Sequence, residues 1–195
     1  MAFHDVMERP ARGELIILDG AIGTEIRRRG GDTGRSDLAV IHMLKSPGLI
    51  REIHADYISA GADVITANTY DCNRHALILD GLDGDSAQSL TRMAVELAIE
   101  ARNASGVDGV LVAGSLGPLA SDYDPNDVPP FDICLSDYRE QVKVMVEAGV
   151  DLVLAETAAH AHSARAGVVA ASEAGLPAWA ALLAGPDGTV ASGAS

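Results

Sequence analysis

Ala148-Gly149-Val150-Asp151-Leu152-Val153-Leu154-Ala155-Glu156-Thr157 packs a helix stop, a strand and a polar strand end into one short stretch. Gly149 stands where a helix C′ residue takes the left-handed conformation. The run Leu152 to Ala155 after it has no polar alternation, the pattern of a parallel strand covered on both faces. The same unit returns at Ala60-Gly61-Ala62-Asp63, Ser105-Gly106-Val107-Asp108 and Ala174-Gly175-Leu176-Pro177. The predicted strands are Leu15 to Leu18, Val64 to Thr66, Val110 to Ala113, Leu152 to Ala155 and Ala178 to Leu183. Between them, helical spacing aligns Ile50, Ile53 and Tyr57 on a helix opened by Ser46 and Pro47, and Leu90, Met93, Ala94, Leu97 and Ala101 on another. Alternating β and α units predict an α/β fold with right-handed crossovers.

The 195 residues carry 14 Lys+Arg against 28 Asp+Glu, a formal charge of −14, and are 48% hydrophobic and 22% charged. That is the composition of one globular domain and excludes disorder for the bulk of the chain. The densest basic run is Arg27-Arg28-Arg29, too little to neutralise a nucleic-acid duplex or to hold an anionic membrane. The two cysteines, Cys72 and Cys134, form no disulfide framework, and Met1 to Pro10 has no apolar signal core. A reducing, cytoplasmic setting is expected. The longest apolar run, Ala178 to Ala184, is strand-sized, so no membrane span is expected. With two Phe, four Tyr and one Trp, the core has to be built from Ala, Val, Ile and Leu.

Two parallel architectures meet this pattern, an open doubly wound sheet and a (β/α)8 barrel. A barrel needs about 250 residues, so length favours the open sheet. The turn Asp19-Gly20-Ala21-Ile22-Gly23-Thr24 lacks the third glycine of a dinucleotide site. Polar residues fall directly after the strands: Asp19-Gly20, Asn68-Thr69-Tyr70, Gly114-Ser115 and Glu156-Thr157. In parallel α/β folds the carboxyl-terminal strand face is where sites are built. Two carboxylates among amides and hydroxyls, without Lys or Arg, suit a cationic group such as the ammonium of an amino acid. The bland alternatives are that Asp19 caps a helix, that Asn68 and Thr69 satisfy loop backbone, and that Ser115 shapes a turn. Leu116 to Leu135, with four prolines and four aspartates, is either a lid or a solvated acidic loop. His160 and His162, at i, i+2, fall on different helix faces and are expected at the surface. Cys72 and His75 have helical spacing but lack the third and fourth ligands of a zinc site. No hydrolase triad order, HExxH or P-loop motif occurs.

Five pieces then stand in order along the chain: Leu18-Asp19-Gly20-Ala21-Ile22-Gly23-Thr24-Glu25; His54 to Tyr57; Ala60 to Ile65 running into Asn68-Thr69-Tyr70 and Asn73; Ala113-Gly114-Ser115-Leu116-Gly117-Pro118; and Ala148 to Leu152 leading into Glu156-Thr157. Together they resemble the homocysteine S-methyltransferase family. The resemblance implies a (β/α)8 barrel of TIM-barrel type, which displaces the open sheet favoured by length, with about five of the eight units present. Residues 1–195 would then be one incomplete homocysteine-binding domain. It further implies an enzyme of methionine biosynthesis that transfers a methyl group from a small donor to the zinc-activated thiolate of homocysteine. Carried over by motif, Asp19 and Glu156 would hold the substrate ammonium, and Gly20, Ala21, Asn68, Thr69 and Ser115 would frame the amino acid. The family's zinc is held by cysteines at the ends of its sixth and eighth strands, and neither Cys72 nor Cys134 lies in such a motif. Zinc is therefore implied by the family, whereas this chain is expected to hold no metal ligand and no catalytic residue, and to be inactive alone. The alternatives are a non-catalytic fragment or subunit needing a partner chain, and a zinc-free amino-acid-binding protein. Homocysteine, a small methyl donor, and a second copy or complementing chain at the open sheet edges are the expected partners.

Overall fold

The structure is a computed structural model describing residues 3–31, 39–79, 81–119, 127–185 and 188–190. All four predicted helix stops are realised: Gly61, Gly106, Gly149 and Gly175 take φ of 100°, 67°, 97° and 80°. They lead into β1 (Val64–Ala67), β2 (Leu111–Leu116), β3 (Leu152–Ala158) and β4 (Ala178–Leu182). The helices are α1 (Phe3–Glu8), α2 (Ile22–Arg28), α3 (Ala39–Lys45), α4 (Pro47–Ser59), α5 (Arg74–Leu79), α6 (Ala87–Ser105), α7 (Phe131–Ala148) and α8 (Ala161–Glu173). Pro47 opens α4 as the spacing predicts, but Ser46 makes no side-chain cap.

The sheet is wholly parallel with strand order β1-β2-β3-β4. This unbroken walk belongs to a barrel wall, because a doubly wound sheet reverses its order at a switch point. Length counted the strands but carried no information on their order, and so favoured the wrong architecture. The two sheet faces are apolar in different ways. Val64, Leu111, Ala113, Leu152 and Leu154 form an inner cluster with Val6 of α1 and with half-buried Phe3, Ile16 and Trp179. Ile65, Val112, Leu116, Val153 and Ala155 meet α6, α7 and α8 on the outer face. Helix and strand approach closely there: a Cβ on Gly114 would lie 2.6 Å from Met145 Sδ, and one on Gly167 would lie 2.9 Å from Ala155 Cβ. Small residues on α8 (Ala164, Ala166, Gly167, Ala170 and Ala171 are buried) make that approach close.

The predicted first strand is reduced to a single parallel bridge, Leu18 to Val64. Two side-chain carboxylates stop it. A continuing ladder would send the Thr66 N–H to the Asp19 carbonyl, but it donates to Asp19 Oδ2 at 2.7 Å. At the other end the Ile17 N–H donates to Asp63 Oδ2 at 2.8 Å, and Arg9 Nη1 donates to Asp63 Oδ1 at 2.5 Å. Asp151 repeats the device on β2, accepting the Val112 N–H at 2.7 Å and Arg102 Nη1 at 2.8 Å. At two of the four units the Asp of Gly-x-Asp, Asp63 and Asp151, therefore ties a strand start to its neighbour.

His54 on α4 is fully buried, and neither ring nitrogen has a hydrogen-bond partner among the described residues. Burial pushes its pKa down to about 4 from an ordinary 6.5. The unfolded chain binds this proton more tightly, so the contribution to stability is full above pH 6.5 and is lost as pH falls toward about 4. His54→Leu should remove that acid limb. Relative to the unsubstituted chain, its urea-unfolding free energy should gain about 3 kcal/mol between pH 7 and pH 4.

Candidate functional site

Strand alternation carries the inner rows to polar ends. Val64 leads to Thr66, Leu111 and Ala113 lead to Ser115, and Leu152 and Leu154 lead to Glu156, all on one face at the carboxyl ends. Asp19 clasps Thr66, its Oδ2 accepting the backbone N–H at 2.7 Å and its Oδ1 accepting the hydroxyl at 2.9 Å. Ser115 Oγ donates to Glu156 Oε1 at 2.5 Å. Thr69, fully buried beyond β1, bridges the Ser115 backbone: its hydroxyl accepts the Ser115 N–H at 2.8 Å and donates to the Ser115 carbonyl at 2.7 Å. Of the residues singled out in the sequence, Asp19, Thr69, Ser115 and Glu156 thus meet at one strand face, three of them in one hydrogen-bonded chain.

Gly20 and Ala21 border that face against α4. A Cβ on Gly20 would lie 2.7 Å from Tyr57 Oη, so this position accepts only glycine unless Tyr57 moves. Tyr57 donates to the Ala21 carbonyl at 3.4 Å. Asn68 is not drawn into the network. It is buried with Nδ2 4.0 Å from Met43 Sδ, and its carbonyl accepts from the Cys72 thiol at 3.4 Å.

The two carboxylates have no ion-pair partner among the described residues. Burial pushes the Asp19 pKa up to about 6, with the Glu156 charge adding to the rise. Burial likewise raises Glu156, and the Ser115 hydrogen bond opposes it. The backbone at Glu156 is irregular. β3 and β4 pair Ala155 with Ala180 and then Ala158 with Leu182, so Glu156 and Thr157 face a single residue across a bulge. Thr157 adopts φ 57°, a left-handed conformation that is costly for a β-branched side chain and the only such non-glycine among the described residues. No local sequence signal announces this bulge.

His160 and His162 are half-buried, not at the surface as expected. Their ring centroids lie 4.0 Å apart, and His162 Nε2 donates to the Pro129 carbonyl at 2.8 Å. The Cys134 thiol donates to the same carbonyl at 3.2 Å. The stretch read as either a lid or a solvated acidic loop begins inside β2 and ends inside α7, and residues 120–126 of it lie outside the described residues. The residues do not fit a zinc ion. Cys72 is buried with its thiol spent on Asn68, Cys134 is spent on Pro129, and no group of three or more His, Cys, Asp or Glu able to hold a metal occurs among the described residues. Sequence reasoning missed Gln141, which donates to the Thr69 carbonyl at 2.7 Å. The available signal was a lone amide on the apolar stripe of α7, between Tyr138 and Met145.

The homocysteine S-methyltransferase family model matches residues 16–195. The chain belongs to this family. It is 31% identical over 157 residues to homocysteine S-methyltransferase YbgG of Bacillus subtilis, covering 73% of this chain and 50% of the relative. It is 32% identical over 155 residues to homocysteine S-methyltransferase of Escherichia coli, covering 74% and 50%. The chain spans about half the length of these curated relatives. In structure it superposes on the metallated form of the homocysteine methyltransferase MmuM from Escherichia coli with a TM-score of 0.83, at 28% identity over 96% of this chain and 70% of that one. The fold is accordingly a partial (β/α)8 barrel. No helix among the described residues is long and apolar enough to cross a membrane.

The unpaired carboxylates have a measurable cost. Each holds its proton more tightly folded than unfolded, so their burden on stability is full above the folded pKa and is relieved as pH falls, for Asp19 from about 6 toward 3.8. Glu156→Gln keeps the volume and the acceptor for Ser115 while deleting one charge. It should stabilise the fold by about 1 kcal/mol at pH 8 and by nothing at pH 4, read from urea midpoints.

Proposed function

We propose that this chain supplies the amino-acid-binding half of a homocysteine S-methyltransferase, with residues 1–195 forming one incomplete homocysteine-binding barrel domain. The observation that carries this is the cation-free pair Asp19 and Glu156, held ready by Thr66 and Ser115 on one strand face. A substrate ammonium entering between them offsets the burial that raises the Asp19 pKa and the smaller repulsion from Glu156, and makes charge-assisted hydrogen bonds in a partly dry site. Gly20, Ala21, Thr69 and Ser115 frame the amino acid, and Asn68 backs the frame from behind. The reaction of the whole protein is transfer of a methyl group from a small donor to the homocysteine sulfur, giving methionine. Family zinc chemistry has no matching ligands in the described residues. A reducing compartment, the cytoplasm, is in keeping with two free cysteines.

In full-length protein, Glu156→Ala should weaken homocysteine binding by about 10- to 100-fold in calorimetry, the worth of a hydrogen bond to a charged group. Unchanged affinity would remove the amino-acid site from this face. Wild-type affinity should also fall about tenfold per pH unit below about 6, where Asp19 takes up its proton.

A second role is favoured by the sheet margins. On the first-strand side Leu15, Ile17 and Leu18 are 79%, 51% and 49% exposed, and on the other side Ala180 to Leu182 of β4 are exposed. We propose that these edges take a complementing chain or a second copy. Sedimentation of this chain should give a concentration-dependent mass above 20.2 kDa, and a strictly monomeric species would rule out self-association.

A further inference from the structure

Gln141 sits on α7, one turn from Tyr138 on one side and from Met145 on the other, and is 6% exposed. A primary amide on an apolar helix face is costly unless it is used. Its Nε2 donates to the Thr69 carbonyl at 2.7 Å, while Oε1 has no hydrogen-bond partner among the described residues. The bonded half of the amide is therefore what the position keeps.

Within its own segment Thr69 makes only turn contacts: its N–H donates to the Ala67 carbonyl at 2.7 Å, its carbonyl accepts the Cys72 N–H at 3.0 Å, and the regular β1–β2 ladder ends at Ala67 and Gly114. Beyond that pair the Thr69 hydroxyl replaces the ladder, bonding both backbone groups of Ser115. Ser115 in turn donates to Glu156. An unbroken chain of hydrogen bonds thus runs from α7, outside the sheet, through Thr69 and Ser115 to the carboxylate on the inner face.

We propose that Gln141 is a positioning residue that sets the Glu156 carboxylate for an amino-acid ammonium by fixing Thr69 and, through it, the end of β2. This rests on the amino-acid site proposed above. Gln141 touches no ligand. It acts by holding the irregular segment after β1 in the one place from which the Thr69 hydroxyl can grip Ser115, and its loss is felt at the ammonium end of the substrate alone.

The test compares two probes on full-length protein by calorimetry, homocysteine and its des-amino analogue 4-mercaptobutanoate. Gln141→Met keeps the length and removes the donor. It should weaken homocysteine binding about tenfold while leaving the analogue unchanged, a selectivity that a general packing defect would not produce. Gln141→Glu supplies a second reading should the methionine variant fail to fold. Buried, its carboxyl group stays protonated in mild acid and can donate to Thr69, so homocysteine affinity should be near wild type at pH 6.5 and lost at pH 8.5, in a range where wild-type affinity is flat. Equal weakening of both probes, or no weakening with a folded protein, would overturn the role of Gln141. Failure of the underlying site looks different: wild type would not bind homocysteine, or Glu156→Ala would bind it unchanged.

Discussion

A carboxylate at the end of a parallel strand, half-buried, has to be satisfied by its neighbours or by a cation that comes from outside. Asp19 and Glu156 are each satisfied in part, one by the backbone and hydroxyl of Thr66 and the other by the hydroxyl of Ser115. These contacts fix direction without cancelling charge. The result is a pair of carboxylates aimed before any ligand arrives, whose acceptor oxygens need not reorganise when a cation enters. Most other features of this end of the sheet follow from holding those two groups still: the glycine against Tyr57, the threonine hydroxyl standing in for ladder, and the bulge that turns Glu156 out of the regular pleat.

The same site makes demands that a fold tuned only for stability would avoid. Thr157 sits in a left-handed conformation directly after Glu156. Among the described residues, Gln141 is buried with half of its amide unpartnered, and two carboxylates lose solvent without gaining a counter-charge. Strain and unpaired charge collected at one end of a sheet, with regular packing elsewhere, is the distribution expected when binding and stability are in competition. His54 differs from these: it lies among apolar residues of the helical layer, and its cost is expressed in acid.

What could be read in the sequence was local. Gly61, Gly106, Gly149 and Gly175 end helices because each must adopt positive φ, and four apolar runs become strands because they lack polar alternation. Asp19, Ser115 and Glu156 were visible as polar residues at strand ends. The remainder depended on partners remote in sequence. The Leu15 to Leu18 run is as apolar as the others, yet it forms one bridge because the Asp63 side chain takes the run's own Ile17 N–H and the Asp19 side chain takes the Thr66 N–H of β1. Whether five strand units make a barrel wall or an open sheet depends on strand order, which composition and length do not encode. The Glu156 bulge arises from the register of β3 against β4, and the grip of Gln141 joins positions 72 residues apart.

Polar residues at the two ends of the strands therefore have separate duties. At the strand starts, Asp63 and Asp151 accept a neighbouring strand's N–H and an arginine, Arg9 or Arg102, and so lock the order of the wall. At the strand ends, Asp19, Ser115 and Glu156 hold one another's segments and face the open side. In a parallel barrel every strand points the same way, so a repeated sequence unit places all of its first kind at one mouth and all of its second at the other. That geometry is why a short Gly-x-Asp-apolar-Glu phrase, repeated with variations, builds both a scaffold and a site: the scaffolding aspartates can remain alike from unit to unit, while the residues ending each strand are free to differ and together define what the mouth can hold.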